Sequence, residues 1–313
     1  MPFKIIHSPD EKYLAATDLL IGDMSDINYE FLIFNRPIIL LANKWVKKNW
    51  PDIGYKLDEE NSDEFLEKKI KLSLTKKNEF ENQRKIALSK TIELPVEGSS
   101  LRFIEKSLEF SEIKNPVIYF IHGNSDVKKT NLIPLFEEAQ KQNLKTILCA
   151  YPPISKRNHH IYFGAHYEDL PLSNVGFKIH IDHAPKGIGA ANLQISENSY
   201  KKKKYFPWIN LHITAGESGY QRTKRQLGPL SNRTIIGGYP KGEFLKKMNT
   251  KENRKDVCKI LDFDINLPII TYASAGPLSI AKPGGSYSKR NIEMLKKISD
   301  RGNYNILIKN KTK

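Results

Sequence analysis

The sequence predicts an α/β protein with two Rossmann-like domains, each a parallel sheet with helices on both faces. Two observations predict this class. Short apolar runs such as Val117–Ile121 alternate with segments of helical spacing, and continuous apolar runs are typical of strands buried on both faces. Turns rich in small or polar residues, Gly22-Asp23 and His122-Gly123, follow two such runs. Open α/β sheets bind ligands at turns of this kind, which lie at the carboxyl ends of their strands.

The first segment, residues 1–112, opens with a strand–turn–helix–strand unit. Leu19–Ile21 is an apolar strand that runs into the glycine turn, and a helical run then leads to a second strand over 37–41. Free backbone N–H groups at the start of that helix are expected to face the crevice of the sheet. The charged sequence over 56–95 and the amphipathic stretch over 101–110 predict further helices.

The remaining sequence predicts one self-contained doubly wound domain, residues 113–240, and the first part of a second, residues 241–313. The former carries predicted strands over 117–121, 145–150, 177–181, 211–214 and 234–236. The latter carries a helix, a strand, a helix and a strand, over about 241–261, 268–273, 289–300 and 304–308. His159, His160 and His166 have a spacing similar to that of metal ligands, but they lie in a Tyr- and Pro-rich stretch that is predicted as loop and has no carboxylate pattern, so a metal site is not expected.

Composition restricts the class of protein. The chain has 313 residues, 39% hydrophobic and 27% charged, which suits a soluble globular protein of two domains. No apolar run approaches the roughly 18 residues of a membrane-spanning helix, and the first residues do not resemble a signal peptide. Cys149 and Cys258 are the only cysteines, which fits a reducing compartment. The expected location is the cytoplasm, with peripheral binding at the inner face of the cell membrane left open.

The net charge of +15 predicts attraction to polyanions such as nucleic acid, anionic lipid or phosphorylated substrates. A lysine-rich composition without any binding role is the competing interpretation. Lysines are spread widely, and only Lys201–Lys204 forms a block. Charge alone therefore selects no partner. A nucleic-acid partner is not expected, because no aromatic residues are interleaved with the basic block.

Seven short segments together resemble one enzyme family. The family is that of the CDP-glycerol glycerophosphotransferases, the teichoic acid primases and polymerases. Its motif SD-x-LI-T-D-Y-S-S is similar to Thr17–Asp26, and its following segment KRP-I-I is similar to Asn35–Ile39. Weaker similarities to the family's SPD, WHG-plus-lysine, G-x-PR-x-D, ILYAPTW and IIIKPHP segments lie at Ser8–Asp10, Asp182–Gly187, Gly238–Lys241, Ile270–Ser274 and Ile306–Lys309.

The resemblance implies two Rossmann-like domains facing each other across a cleft, the glycosyltransferase B architecture. It implies transfer of glycerophosphate, or a related polyol phosphate, from a CDP-activated donor to an anionic cell-envelope polymer or lipid-linked primer, without a cofactor. Residues 241–313 and 1–112 would form the first and last parts of the nucleotide-binding domain, and 113–240 the other domain. An anionic membrane surface would be a further partner.

The order of the segments departs from the family, because the family's last segment comes first here. This order suggests a circular permutation, a fragment spanning two tandem units, or a domain completed by self-association. Asp26 stands where the family has a second serine, and the sequence given stops at Lys313, where the family has a His-Pro pair. If one chain makes the whole donor domain, the strands over 268–273 and 304–308 must share a sheet with those over 19–21 and 37–41.

Candidate site residues follow from the resemblance. His183 would be the base that takes the acceptor's hydroxyl proton, since histidine titrates near neutral pH; a structural histidine is the alternative. Lys186 would neutralise phosphate unless it is a solvated surface lysine. The donor and its phosphates would be bound by Asp23, Ser25, Asp26, Glu30, Arg36, Ser274 and Gly276.

Plainer roles compete for several of these donor-site residues. Ser25 or Asp26 would serve equally well as a helix N-cap, and a carboxylate at position 26 repels phosphate unless it turns away. Glu30 would otherwise be helix-surface charge, and Arg36 would simply begin a strand. The cleft is expected to be lined by His122, Gly123, Asn124, Gly216 and Glu217, and no motif requires a metal.

Alternatives to the transferase remain open. A sugar transferase or a nucleotide-sugar 2-epimerase of the same architecture would share this fold. A non-catalytic fragment or binding module would also fit, because the family's second histidine segment is missing.

Overall fold

The computed structural model describes residues 3–6, 11–23, 25–41, 47–48, 50–58, 61–153, 159–171, 175–182, 185, 208–227, 232–273 and 285–309. The strands in this part of the chain are β1 (Phe3–Ile6), β2 (Leu19–Gly22), β3 (Ile38–Leu41), β4 (Tyr55–Leu57), β5 (Val117–Ile121), β6 (Lys145–Cys149), β7 (His160–Gly164), β8 (Phe177–Ile181), β9 (Leu211–Thr214), β10 (Thr234–Ile236), β11 (Ile269–Ala273) and β12 (Asn305–Lys309).

The α-helices in the same part of the chain are α1 (Glu11–Ala16), α2 (Ile27–Phe31), α3 (Asp63–Thr75), α4 (Glu81–Thr91), α5 (Ser99–Ser111), α6 (Asp126–Lys141), α7 (Glu217–Leu227), α8 (Pro240–Lys247), α9 (Lys251–Leu261) and α10 (Gly285–Asp300). None of the described helices is long and apolar enough to cross a membrane.

The chain forms two compact units, residues 1–88 with 245–313, and residues 89–244. The sequence pattern placed the break near 112, whereas the contacts group residues 89–112 with the second unit. The physical reason is α5, whose Phe103 and Ile104 pack into the core of that unit.

The first unit contains a six-stranded sheet in the order β1-β12-β11-β2-β3-β4, with parallel pairing throughout. If counting starts at β11 and continues with β12, β1, β2, β3 and β4, these strands become 1 to 6. The order across the sheet is then 3-2-1-4-5-6, which is the order of dinucleotide-binding folds. The strands predicted before residue 113 and those predicted after residue 240 therefore share one sheet. This sharing is required if one chain makes the whole donor domain. The order reverses between β11 and β2, so the ligand-binding crevice is expected there.

Helices cover both faces of this first sheet. Leu66 and Ile70 of α3 and Leu295 of α10 pack on one face, together with Ile21, Ile39 and Ile270 of the strands. Tyr13 of α1 and Val257 and Leu261 of α9 pack on the other, with Ile269 and Leu307. Continuous apolar strands such as Leu19–Ile21 follow from this burial on both sides.

The second unit contains a parallel sheet in the order β10-β9-β8-β7-β5-β6. If β5 to β10 are numbered 1 to 6 along the chain, the strand order across the sheet, starting from β6, is 2-1-3-4-5-6. This is the order of flavodoxin-like sheets, and it reverses between β5 and β7. Phe103 of α5 and Leu132 and Leu135 of α6 cover one face. The other face carries Tyr162 and several polar side chains, and Thr223 of α7 reaches it.

The predicted α/β class with two Rossmann-like domains is confirmed, and several elements differ from the sequence pattern. The stretch over 56–95, predicted as helical, begins with the end of the strand β4 (Tyr55–Leu57). The stretch predicted as loop contains β7, in which Ile161, Tyr162 and Phe163 are buried. The helix predicted over 241–261 is two helices, because Thr250 caps a new one by accepting a hydrogen bond from the backbone N–H of Asn253 at 3.1 Å.

Candidate functional site

In the first unit, the carboxyl end of β2 lies beside that of β11, and Gly22 pairs with Ala273. Gly22 is followed by Asp23, whose backbone carbonyl accepts a hydrogen bond from Nδ2 of Asn28 at 2.6 Å. A Cβ at position 22 would overlap the Asn28 amide, so glycine is required by close approach. Asn28 is fully buried, and its Oδ1 has no hydrogen-bond partner among the described residues.

The residues predicted to hold phosphate follow this strand end directly. Ser25 Oγ accepts a long hydrogen bond, 3.5 Å, from the backbone N–H of Ile27, and its carbonyl accepts one from Asn28 N–H. Asp26 has helical backbone angles and makes no side-chain cap. Glu30 is buried within α2. Ser25 therefore makes the local bond expected of a turn residue, while Asp26 does not act as an N-cap.

Arg36 lies at the opposite edge of the same sheet. It precedes β3, and Nη1 donates to the carbonyls of Ala15 and Thr17 at 2.7 and 2.5 Å, beside the amino end of β2. Nη2 donates to Asn249. Burial lowers the pKa of the guanidinium, with Asp18 opposing the shift and Arg254 adding to it. The structure therefore does not bring Arg36 together with Asp23 and Ser25.

Replacing Arg36 with glutamine should lower the free energy of unfolding by about 1–3 kcal/mol, because buried carbonyls lose a charged donor. Affinity for a cytidine nucleotide should stay unchanged, because the side chain is at the wrong edge. Urea unfolding and titration calorimetry measure the two quantities. Lys255→Gln, at an exposed position on α9, is the control. A tenfold loss of nucleotide affinity in Arg36→Gln but not in Lys255→Gln would contradict this and indicate that Arg36 binds the nucleotide.

Four predicted site residues lie outside the described residues: His183, Lys186, Ser274 and Gly276. Two of them follow described strand ends in the sequence. His183 comes directly after Asp182, and Ser274 directly after Ala273 at the end of β11. The roles that the resemblance gives these four residues stay predictions.

In the second unit, the turn after β5 lies where the sheet order reverses. His122 and Gly123 extend the pairing with the β6 edge, donating from their N–H groups to the carbonyls of Cys149 and Ala150 at 3.0 and 2.9 Å. Burial lowers the pKa of His122, and Lys129 lowers it further against the opposing effects of Asp126 and Asp169. This shift favours the neutral imidazole, and Nδ1 has no hydrogen-bond partner among the described residues.

An ion pair fills the space beside this turn. Lys128 Nζ lies 2.9 and 2.8 Å from the two carboxylate oxygens of Asp169. Gly123 has a φ of +55°, and a Cβ there would overlap the Asp169 carboxylate. Asn124 is exposed and donates to the Tyr151 hydroxyl at 2.9 Å. Lys128 is thus neutralised by its partner rather than offered to a phosphate.

The other predicted cleft-lining pair, Gly216 and Glu217, lies at the end of β9. A Cβ on Gly216 would lie 2.6–2.8 Å from the backbone of Thr91 and Ile92. Glu217 is exposed at the start of α7 and accepts a hydrogen bond from Gln221. Gly216 is therefore explained by packing against a neighbouring segment.

A buried cluster that the sequence motifs did not suggest lies where the carboxyl end of β8 pairs with the first half of β9. His180 and His212 are paired across the two strands, and each is 6% exposed. Their Nδ1 atoms are 2.6 Å apart, their ring centres 4.7 Å apart, and their planes differ by 12°. Because the nitrogens are far closer than the ring centres, the rings meet edge to edge, and one Nδ1 donates to the other.

The far side of His212 faces two oxygens. Nε2 lies 3.3 Å from the Thr223 hydroxyl and 3.9 Å from Oδ1 of Asp182, whose side chain is 8% exposed. The alternation of polar and apolar residues along the two strands could have revealed the cluster. Every second residue is polar, namely Lys178 and His180 in β8 and His212 and Thr214 in β9, so these side chains share one face of the sheet. Among the described residues, no group of three or more His, Cys, Asp or Glu side chains is arranged to hold a metal ion.

Comparisons of the chain with protein-family models, with curated proteins and with solved structures found no match.

Proposed function

We propose that the protein transfers glycerophosphate, or a related polyol phosphate, from a CDP-activated donor to a hydroxyl of a cell-envelope polymer or lipid-linked primer. One observation carries the proposal. The segment Leu19–Asp26, which resembles the family's donor motif, contains β2 and the turn after it, and the strand order 3-2-1-4-5-6 of the sheet reverses between β2 and β11. Nucleotides bind at this point in folds of that order. Motif and topology thus agree on the same strand end.

The proposed reaction is a phosphoryl transfer. The acceptor hydroxyl oxygen forms a bond to phosphorus, the bond from phosphorus to the bridging oxygen breaks, and CMP leaves. The hydroxyl proton needs a base, which the resemblance assigns to His183. The net charge of +15 supports an anionic acceptor and, as a further proposal, contact with an anionic membrane surface.

The test of this function is nucleotide binding followed by transfer. CDP and CMP should bind and should perturb the amide signals of residues 22–28, whereas signals at the amino edge near Arg36 should not move. Titration calorimetry and ¹⁵N-edited NMR measure both. A transfer assay with radiolabelled CDP-glycerol and a glycerophosphate-primed lipid then tests the reaction.

The same titrations separate the alternatives. Preferential binding of UDP over CDP would favour a sugar transferase or a 2-epimerase. A folded protein that binds no nucleotide would contradict the proposal and favour a non-catalytic binding module.

A further inference from the structure

Four exposed lysines follow one another along α3 and the turn after it, in the first unit. Lys68 and Lys71 lie on the face of the helix that is turned away from the core, one turn apart. Lys76 and Lys77 come directly after the last residue of α3. Because a helix rises about 1.5 Å per residue, Lys68 and Lys76 are separated by about 12 Å along the axis. These four residues are called the lysine stripe below.

The ammonium groups of the lysine stripe have no carboxylate partners. In the part of the chain that the structure describes, no ion pair involves any of the four. The carboxylates of α3 are bound elsewhere, since Asp63 and Glu67 both bind the Arg301 guanidinium, and Glu64 lies 3.9 Å from it. Glu79, beyond the stripe, accepts a hydrogen bond from a tyrosine hydroxyl. The positive charge of the stripe is therefore uncompensated, and it favours an anionic partner.

Two concave places border the lysine stripe. One has a volume of about 530 Å³ and is lined by Glu64, Glu67, Lys68, Lys71, Asn303 and Tyr304. The other has a volume of about 730 Å³ and is lined by residues 74–79, which include both lysines of the turn. An extended, flexible polyanion can follow a stripe one helix wide into both places, whereas a flat bilayer would touch only the ridge between them. Lysine binds phosphate as a point charge, so successive phosphates need no fixed geometry.

The lysine stripe is separate from the proposed donor turn of the same unit. The carbonyl of Lys77 accepts a hydrogen bond from Arg84 at 2.7 Å, and Arg84 also donates to Asn35, which precedes the amino end of β3. The donor turn, in contrast, follows the carboxyl end of β2. A partner bound at the stripe therefore leaves the donor turn untouched.

We propose that the lysine stripe binds the phosphodiester chain of an anionic polymer. The identity of that polymer rests on the proposed function, because a transferase of glycerophosphate would extend such a chain. Holding the chain at α3 raises the effective concentration of its end for the reaction. The lysines take no part in the chemistry, so they lower the KM for the polymer and leave kcat as it is.

The first test measures binding of lipid-free poly(glycerophosphate) to the full chain at low salt by titration calorimetry. Lys68, Lys71 and Lys76 are replaced together with glutamine, which keeps good helix propensity and removes three charges. The affinity should fall by about 10–100-fold, because each unpaired ammonium gives up a phosphate contact. Melting temperatures show that the variant is folded.

A second set of lysines provides the matched control. Lys251, Lys255 and Lys259 are exposed on α9 with the same spacing of one turn, but the exposed carboxylates of Glu252 and Asp256 lie next to them. Replacing these three lysines with glutamine removes the same charge from the protein. The affinity of this control for the polymer should stay within about threefold of the wild type, because net charge acts only at long range and is screened.

Three results would overturn the lysine stripe as the polymer site. One is unchanged polymer affinity in the stripe variant, and another is an equal loss in the stripe and control variants, which would indicate net charge alone. The third comes from vesicles of phosphatidylcholine with phosphatidylglycerol, run beside the polymer. If the stripe variant lost binding to these vesicles and kept its affinity for the polymer, the stripe would be a membrane surface instead.

A transfer assay separates this inference from the proposed function. In the stripe variant the KM for poly(glycerophosphate) should rise about 10–100-fold, while kcat and the KM for CDP-glycerol stay unchanged. Active wild type with an unchanged polymer KM in the stripe variant would overturn the stripe and leave the transferase intact. A wild type that transfers nothing from any CDP-activated polyol, yet loses polymer affinity only in the stripe variant, would overturn the proposed function and support the binding site.

Discussion

Gly22→Ala is expected to weaken binding of the cytidine nucleotide more than tenfold and to destabilise the first unit by about 1–3 kcal/mol, the cost of overpacking a filled interior. The new methyl group would overlap the Asn28 amide, which is fully buried and bonded to the carbonyl of Asp23. Relief requires α2 to move away from the end of β2. That movement separates the residues proposed to hold the phosphates.

The clash has a single side-chain partner, which makes the prediction testable by a double variant. Asn28→Ala alone should cost about 1 kcal/mol for its hydrogen bond. Gly22→Ala with Asn28→Ala should be clearly more stable than the sum of the two single effects predicts, because the second change removes the obstacle. Urea unfolding gives the stability and calorimetry the affinity.

Gly302 provides the matched control for Gly22. A Cβ there meets nothing within 4 Å, although its φ of +77° makes alanine strained. Gly302→Ala should therefore lose stability without losing nucleotide affinity. Unchanged affinity in Gly22→Ala would show that the β2 turn does not bind the donor.

Much of the fold is predictable from the sequence because both sheets are parallel and buried. The runs Leu19–Ile21 and Ile38–Leu41 are continuous and apolar, and all their side chains are buried, as is typical of strands covered on both faces. The sharing of one sheet by strands from both ends of the chain follows from the order of the family-like segments. The missed strand β7 begins with His160, and histidines in a Tyr- and Pro-rich stretch favoured a loop over a strand.

The candidate site is less predictable, because side-chain roles depend on which edge of a sheet a residue occupies. Arg36 precedes a strand, so its position in the sequence alone places it at the amino edge, away from the ligand crevice. The resemblance to the family motif nevertheless predicted that Arg36 binds the donor. His180 and His212 are 32 residues apart, and only the pairing of β8 with β9 brings their nitrogens together.

Lys128→Met is expected to destabilise the second unit by about 2–4 kcal/mol, near the range for breaking a buried ion pair. The Asp169 side chain is 9% exposed and that of Lys128 19%, so the carboxylate would remain buried without its cation. Asp169→Leu should cost less, since the longer lysine can turn its ammonium toward water. Urea unfolding of both variants measures this asymmetry.

The double variant Lys128→Met with Asp169→Leu shows whether the pair serves stability or ligand binding. It should recover most of the loss in Lys128→Met, because no charge is left buried and the volume beside Gly123 stays filled. Phosphate and nucleotide affinity should be unchanged in all three variants, since Asp169 already neutralises Lys128. If Lys128→Met instead lost anion affinity at unchanged stability, the ammonium would be a phosphate ligand and the ion pair incidental.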